Sequence, residues 1–104
     1  MSLEVLKGHA DLLVLAALAA GPAHGYAVVE TVRARSAGAF DLAEGTVYPA
    51  LYRLERQGLL ESSWSDAEPR RRRIYRLTRR GRSELAQQRR DWRGYVDAMG
   101  TALA

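Results

Sequence analysis

The alternation of hydrophobic and polar positions along the chain predicts a series of helices, then one β-hairpin, then a long final helix. Ser2 is a suitable N-cap for a short helix that ends at Gly8. The segment Ala10–Ala20 is apolar almost all round, which is typical of a buried helix. The helix breakers Gly21 and Pro22 follow this segment, so we expect the helix to end there.

Two further helices are predicted before the hairpin. One starts at His24 or Gly25 and runs to about Arg35, because apolar residues recur there at every third position. The other covers Glu44–Gln57 and is followed by Gly58, at the position after a helix end that favours glycine. The apolar face of this third helix consists of Val47, Ala50, Leu51 and Leu54.

Pro49 leaves the start of the third helix open. Proline is tolerated in the first turn of a helix, where its missing N–H had no partner in any case. Either Thr46 is the N-cap, which puts Pro49 in the first turn, or the helix starts near Glu44 and bends at Pro49.

Two short strands and a charged turn follow the third helix. The segment Leu59–Trp64 has mixed alternation and Arg73–Leu77 alternates clearly, and both are predicted to be short strands. Ser65–Arg72 lies between them and combines turn formers with arginines, so it is predicted to be the tip of a β-hairpin. Thr78 then caps a long helix over about Arg79–Met99.

This order of elements predicts a mainly α fold with a small β-hairpin, namely a winged helix-turn-helix followed by a long C-terminal dimerisation helix. In helix-turn-helix proteins the second helix of the motif lies in the major groove of DNA, and the first crosses the backbone. Here these helices are His24–Arg35 and Glu44–Gln57, and the hairpin is the wing. We expect residues 1–78 to form the DNA-binding domain and residues 79–104 the dimerisation helix.

Composition limits the classes of function that suit this chain. Its 104 residues fit one domain, and the absence of cysteine excludes disulfides and thiolate metal sites. The longest apolar run has nine residues, fewer than the roughly 20 that span a bilayer. No signal-peptide pattern is visible at the N-terminus. We therefore expect a cytoplasmic protein.

Basic charge is concentrated in the last third of the chain. Residues 1–69 contain five basic and nine acidic side chains, whereas residues 70–104 contain eleven and three. All the basic residues except Lys7 are arginine, whose planar guanidinium group suits phosphates and guanine edges. A GC-rich genome is an alternative explanation of the arginine-to-lysine ratio, but it does not explain the clustering.

Two sets of side chains are the candidate DNA contacts. On the third helix, hydroxyl and guanidinium groups opposite the apolar face suit phosphate oxygens and base edges. At the hairpin, an acid-free segment over residues 70–83 contains eight arginines, which repel one another unless an anion lies near them. A solvated polar face is the alternative for each set. The candidates are Thr46, Tyr48, Pro49, Tyr52, Arg53, Arg56, Arg70, Arg71, Arg72 and Arg73.

The final helix carries apolar residues that little remaining chain could cover. These are Leu85, Trp92, Tyr95, Val96, Met99 and Leu103. An exposed apolar stripe marks an interface, and a second copy of the chain on it would place two recognition helices about one DNA turn apart. The alternative is packing against the chain's own first helix, and the two arrangements are compatible. Trp92 could also line a pocket for a flat apolar effector.

Other classes of function are less well supported. Neither His9 nor His24 stands beside a nucleophile or a paired carboxylate at a readable spacing, and metal binding needs more ligands than these two. We therefore expect no catalysis, no metal and no cofactor. RNA readers usually show aromatic residues on a sheet or a KH-type glycine loop, and neither is visible. A winged-helix module that contacts only proteins remains an alternative.

Three segments resemble the PadR family of transcriptional regulators. Gly21–Tyr26 (GPAHGY) looks like the family's turn into its second helix. Gly45–Glu55 (GTVYPALYRLE) with Gly58–Leu60 is similar to its recognition helix and first wing strand. Arg73–Thr78, followed by Gly81 and Leu85, is similar to the second wing strand and the start of the last helix.

The resemblance implies a dimeric, repressor-type regulator that binds double-stranded DNA at a roughly palindromic operator. It implies DNA contacts from the recognition helix, Tyr48 included, and from the wing. Some family members bind aromatic or drug-like effectors in a cavity at the dimer interface, where a tryptophan of the last helix stacks on the ligand, and Trp92 stands at a comparable place. The chain departs from the family at Ala43, where serine is common, and at Ile74, where tyrosine is frequent.

Overall fold

The computed structural model describes residues 3–66 and 71–104 and, within these ranges, consists of four helices and a two-stranded antiparallel sheet. The elements are α1 (Leu3–Leu18), α2 (Gly25–Arg35), α3 (Glu44–Arg56), β1 (Leu60–Ser65), β2 (Arg72–Leu77) and α4 (Arg79–Leu103). This is the mainly helical winged-helix arrangement that the sequence predicts. The predicted N-cap Ser2 and residues 67–70 of the predicted hairpin tip lie outside the described residues.

Residues 3–18 form one continuous helix, so the predicted break at Gly8 is wrong. A glycine inside a helix costs only about 1 kcal/mol relative to alanine. Burying one large apolar side chain contributes about 1.5–3 kcal/mol, and α1 buries Val14, Leu15 and Leu18 in the core. Because α1 packs on α2, α3 and α4, this burial outweighs the local preference of Gly8 to end a helix.

The core lies where the helices meet the inner face of the hairpin. Tyr75 and Leu77 of β2 are buried, as the alternation along that strand predicts. β1 and β2 are antiparallel, with Leu60 opposite Leu77 and Trp64 opposite Arg73. The buried end of the hairpin is therefore anchored in the core, while its other end extends away from the core with its arginines.

A short segment before α2 also joins the sheet, and the sequence pattern did not predict this pairing. The N–H of Ala23 donates to the carbonyl oxygen of Tyr75 (3.0 Å), and the N–H of Tyr75 donates to the carbonyl oxygen of Ala23 (2.9 Å). The side chain of Tyr75 is only 1% exposed. These bonds attach the start of α2 directly to the wing.

The start of α3 resolves the alternatives that Pro49 left open. The helix begins at Glu44, after an N-cap residue, Ala43, that makes no side-chain hydrogen bond. An N-cap at Thr46 is therefore wrong, and Pro49 lies inside the helix. Pro49 cannot donate to the carbonyl of Gly45, four residues earlier. Since Gly45 is exposed, water can satisfy that carbonyl.

The end of α3 follows the prediction made from Gly58. This residue has a φ of +77°, and its N–H donates to the carbonyl of Glu55 (3.0 Å). The N–H of Leu59 donates to the carbonyl of Leu54 (3.0 Å). This pair of bonds is a Schellman motif, which ends the helix and turns the chain into β1.

The predicted cap of the last helix is confirmed. The hydroxyl of Thr78 accepts a hydrogen bond from the N–H of Gly81 (3.0 Å) and donates one to the carbonyl of Gly58 (2.7 Å). The helix extends to Leu103, beyond the predicted end at Met99. Its first turns pack on the core, whereas every residue from Arg89 onward is exposed.

α4 approaches the start of β1 closely at Gly81. A Cβ atom at this position would overlap the carbonyl oxygen of Leu59 and lie 3.3 Å from Cδ2 of Leu77. The carbonyl of Leu59 also accepts the N–H of Thr78 (3.1 Å), so it is fixed by the turn into α4. Only glycine therefore fits between α4 and β1 without moving backbone.

We predict that Gly81→Ala destabilises the protein, whereas Gly94→Ala, in the exposed part of the same helix, does not. A Cβ at Gly94 meets nothing within 4 Å. Overpacking a tight site typically costs about 1–3 kcal/mol, while alanine in place of an exposed helical glycine stabilises by up to about 1 kcal/mol. Chemical unfolding of both variants at equal protein concentration measures the difference. Equal stabilities would contradict the close approach at Gly81.

Candidate nucleic-acid interface

The outer face of α3 is formed by the residues opposite its buried side. Val47, Ala50, Leu51 and Leu54 are buried, as predicted. With 3.6 residues per turn, the positions farthest from this apolar face include Pro49, Tyr52 and Arg56, and all three are exposed. Thr46 and Tyr48 are half-buried at the two edges of the outer face.

Arg53 of α3 is paired within the protein. Its guanidinium donates to the carboxylate of Asp11 on α1, with Nη2–Oδ1 at 2.6 Å and Nε–Oδ2 at 3.4 Å. This hydrogen bond and the negative charge of Asp11 raise the pKa of Arg53 above its ordinary value. Arg53 therefore lies against α1 and must leave Asp11, at least in part, before it can contact a phosphate.

Two tyrosines of α3 line the side that faces α2 and the wing. The rings of Tyr48 and Tyr52 are tilted to each other with centroids 6.4 Å apart. Tyr48 packs over Gly25, where an added Cβ would come within 2.6 Å of the ring. The glycine at the start of α2 thus makes room for Tyr48, and Tyr52 stays more open to solvent.

The wing arginines are organised by Trp64, a residue that the sequence analysis did not select. Trp64 is 53% exposed, and the guanidinium carbons of Arg71 and Arg73 lie 5.2 and 5.6 Å from its ring centroid. Cation–π contacts of this kind contribute about 0.5–1 kcal/mol at exposed sites. A tryptophan in a strand beside an arginine run was the available signal.

Arg73 has the largest number of described partners among the wing arginines. Besides Trp64, its Nε donates to the hydroxyl of Ser62 (2.9 Å) and its Nη2 lies 3.5 Å from the carboxylate of Glu55. The hydroxyl of Ser62 in turn donates to Glu55 (2.6 Å). Arg73 therefore joins the wing to α3, whereas Arg71 contacts the Trp64 ring and has a long ion-pair contact to Asp66, at 4.0 Å.

His24, also outside the predicted site, lies between α2 and the wing. It is the N-cap of α2, and its Nδ1 accepts the N–H of Ala27 (3.2 Å). Its Nε2 lies 2.6 Å from Nη1 of Arg72. Burial and the positive charge of Arg72 lower the pKa of His24, with Glu30 acting in the opposite direction. The neutral imidazole is therefore favoured.

These elements together enclose an open cleft of about 800 Å³. Its walls are the start of α2, the inner edge of α3 and the wing, and Glu44 is the only carboxylate among the described residues that line it. The cleft brings together two of the predicted α3 residues and three of the predicted wing residues. They are Tyr48, Tyr52, Arg71, Arg72 and Arg73. Arg70 lies outside the described residues.

A second cavity, of about 540 Å³, lies between α1 and α4. Trp92 forms its aromatic wall: its ring meets that of His9 edge-on at 5.1 Å and is stacked with that of Tyr95 at 5.7 Å. Two carboxylates, Asp11 and Asp91, also line this cavity. Asp11 is thus shared between the cavity and the ion pair with Arg53.

The exposed apolar stripe of α4 continues from this cavity. Trp92, Tyr95, Val96, Met99 and Leu103 are all exposed, Leu103 by 77%. Leu85 differs from them because it is 3% exposed and belongs to the core of this chain. A surface helix normally exposes polar residues, so the stripe is an uncovered apolar face in the single chain.

Among residues 3–66 and 71–104, no group of three or more potential metal-ligating His, Asp or Glu side chains is found. Each helix in the part of the chain that the structure describes is too short or too polar to cross a membrane.

Comparison with known proteins identifies one family. The family described as "Transcriptional regulator PadR-like family" matches residues 14–87. A PadR family transcriptional regulator from Eggerthella lenta is 35% identical, with a TM-score of 0.84 over 97% of this chain and 87% of that one. A transcriptional regulator from Clostridium thermocellum has a TM-score of 0.87 at 27% identity, over 97% and 96% of the two chains.

A third similar structure was determined with nucleic acid. It is Bacillus subtilis PadR in complex with operator DNA, with a TM-score of 0.68 and 20% identity, over 76% of this chain and 45% of that one. At this identity the likeness shows a shared fold.

Proposed function

The chain belongs to the PadR-like family of transcriptional regulators, and from this membership we propose that it is a sequence-specific, double-stranded DNA-binding regulator that acts as a repressor in the cytoplasm. The observation that carries the proposal is the cleft between α2, α3 and the wing, whose described lining includes tyrosines, arginines and only one carboxylate. The operator complex of Bacillus subtilis PadR supports the same use of the shared fold. No catalytic role is proposed.

The DNA contacts are divided between base edges and phosphates. We assign the exposed residues Pro49, Tyr52 and Arg56 to the major groove, because they lie opposite the buried face of α3. Thr46 and Tyr48 fix the position of α3 by contacting the DNA backbone. Arg53 makes a further contact to the DNA backbone after its guanidinium leaves Asp11 for a phosphate. The wing arginines, Arg70–Arg73, bind phosphates beside the recognition helix.

The two regions of the chain have different tasks in this proposal. Residues 1–78, with the first turns of α4 as part of their core, bind DNA. The rest of α4 forms a homodimer through Trp92, Tyr95, Val96 and Met99. The exposed apolar stripe on this helix supports the assignment, because a partner copy would remove its apolar surface from water. Two copies related by twofold symmetry would bind a roughly palindromic operator.

A small aromatic effector is the proposed signal for release from DNA. The cavity between α1 and α4 supports this role, since its volume of about 540 Å³ is in the range of ligand sites. Its stacked rings suit a flat ligand, and Asp11 and Asp91 favour a positive charge on it. Because Asp11 also holds Arg53, a ligand there can affect the DNA-binding helix directly.

Replacing two of the described wing arginines that line the cleft should weaken DNA binding without regard to sequence. For Arg71→Gln/Arg72→Gln we expect a higher Kd for every duplex. The slope of log K against log salt should fall by about 0.9 for each lost phosphate contact. Fluorescence anisotropy at several salt concentrations measures both quantities.

The matched control is Arg89→Gln/Arg90→Gln, which removes the same charge from the exposed part of α4. An unchanged slope in the wing variant, or the same reduction in the control, would remove the wing from the interface.

A charge on the apolar stripe should separate the dimer. Met99→Glu places a carboxylate at the centre of the proposed interface, and we expect a monomer with much weaker operator binding but native helix content. Sedimentation velocity and circular dichroism measure these properties. Thr101→Glu, on the opposite side of α4, is the control and should stay dimeric. A dimeric Met99→Glu variant would place the interface elsewhere.

A planar aromatic cation should bind beside Trp92. With proflavine as the probe, we expect Trp64→Phe protein to bind and to show quenching of the remaining tryptophan, Trp92. Trp92→Ala should abolish binding, and Asp91→Asn should weaken it because the negative charge is lost. Titration without DNA measures the affinities. Equal binding by the Trp92→Ala variant would place the ligand site elsewhere.

A further inference from the structure

His24 cannot satisfy its two nitrogen contacts in any single protonation state. Its Nδ1 faces the N–H of Ala27 (3.2 Å), and its Nε2 faces Nη1 of Arg72 (2.6 Å). Both neighbours can only donate hydrogen bonds. A neutral imidazole carries one N–H, which then faces another donor, and a protonated imidazole carries two. One of the two contacts is therefore always donor against donor.

The contact with Ala27 is the one that α2 needs. The Ala27 N–H lies in the first turn of the helix, where no carbonyl of the helix can accept it, so a side-chain N-cap stabilises the helix. With Nδ1 as acceptor, the proton of the neutral imidazole lies on Nε2. The lowered pKa of His24, due to burial and to Arg72, agrees with the neutral state.

The Nε2–H of His24 and the guanidinium of Arg72 are then two donors that meet with no acceptor between them. The surrounding cleft adds positive charge from Arg71 and Arg73, and Glu44 is the one carboxylate among its described lining residues. Glu30 is the other charged group that acts on His24, and it lies on the exposed side of α2. An anionic oxygen that accepts hydrogen bonds from both the Nε2–H of His24 and the guanidinium of Arg72 would satisfy both donors.

We propose that His24 and Arg72 together bind one phosphate of the DNA backbone, with His24 donating from a neutral imidazole. This inference rests on the proposed DNA-binding function and adds to it a residue of α2. The pairing of Ala23 with Tyr75 holds His24 beside β2, so the two donors come from elements whose relative position is fixed by main-chain bonds. We call these two donors the His24–Arg72 clamp. Through one phosphate, the clamp joins α2, the first helix of the motif, to the wing.

The test uses His24→Asn, Arg72→Gln and the double variant. Asparagine is among the best N-cap residues, so His24→Asn should keep the cap of α2 and its thermal stability while lacking the distal N–H. Hydrogen bonds to charged groups contribute about 1.5–3 kcal/mol, so we expect His24→Asn to raise the Kd for duplex DNA about tenfold or more. Its salt slope should stay at the wild-type value, because the lost donor is neutral.

Arg72→Gln should raise the Kd and lower the salt slope by about 0.9. Since both side chains are proposed to bind the same phosphate, the double variant should lose less than the product of the two single effects. A wild-type Kd for a folded His24→Asn protein, or independent effects in the double variant, would overturn the clamp. If wild-type protein failed to bind duplex DNA at all, the proposed function itself would be wrong.

Discussion

The pair of main-chain hydrogen bonds between Ala23 and Tyr75 is the contact on which the cleft between α2, α3 and the wing depends. Through these bonds Ala23, the residue before the N-cap of α2, pairs with β2 and joins the two-stranded sheet at one position. Because Tyr75 is also buried in the core, the wing cannot move relative to α2 without losing both the bonds and the packing. The cleft therefore has fixed walls on two of its sides before any ligand arrives.

Charged side chains on this surface are largely held by other side chains. Arg53 is held by Asp11, Arg73 by Ser62, Glu55 and Trp64, and Arg71 by Trp64. Exposed ion pairs of this type contribute little to stability, typically 0–1 kcal/mol. Their larger effect is to limit the conformations of long side chains, which lowers the entropy lost when those side chains bind. The exchange of Asp11 for a phosphate that we propose for Arg53 would therefore cost little free energy.

Sequence patterns correctly predicted the features that are determined by residues close together in the sequence. The glycine after α3, the threonine before α4 and the alternation of Tyr75 and Leu77 each act within a few residues, and each was confirmed. The features that were missed join residues far apart in sequence: Asp11 and Arg53 are separated by 42 positions, and His24 and Arg72 by 48. The periodicity of hydrophobic residues does not indicate which distant residues pair. The continuity of α1 was missed for a related reason, since packing against other helices outweighed Gly8.

The close approach at Gly81 also sets the geometry of any assembly built on α4. From Leu85 to Leu103 the helix extends about 27 Å beyond its last buried residue, at about 1.5 Å per residue. A change of about 5° in the angle at its base would move its far end by about 2.4 Å at that length. In the proposed dimer, a rigid glycine-to-carbonyl contact at the base would therefore set the distance between the two half-sites, and the angular tolerance of this one contact would limit the operator spacings that two copies can span.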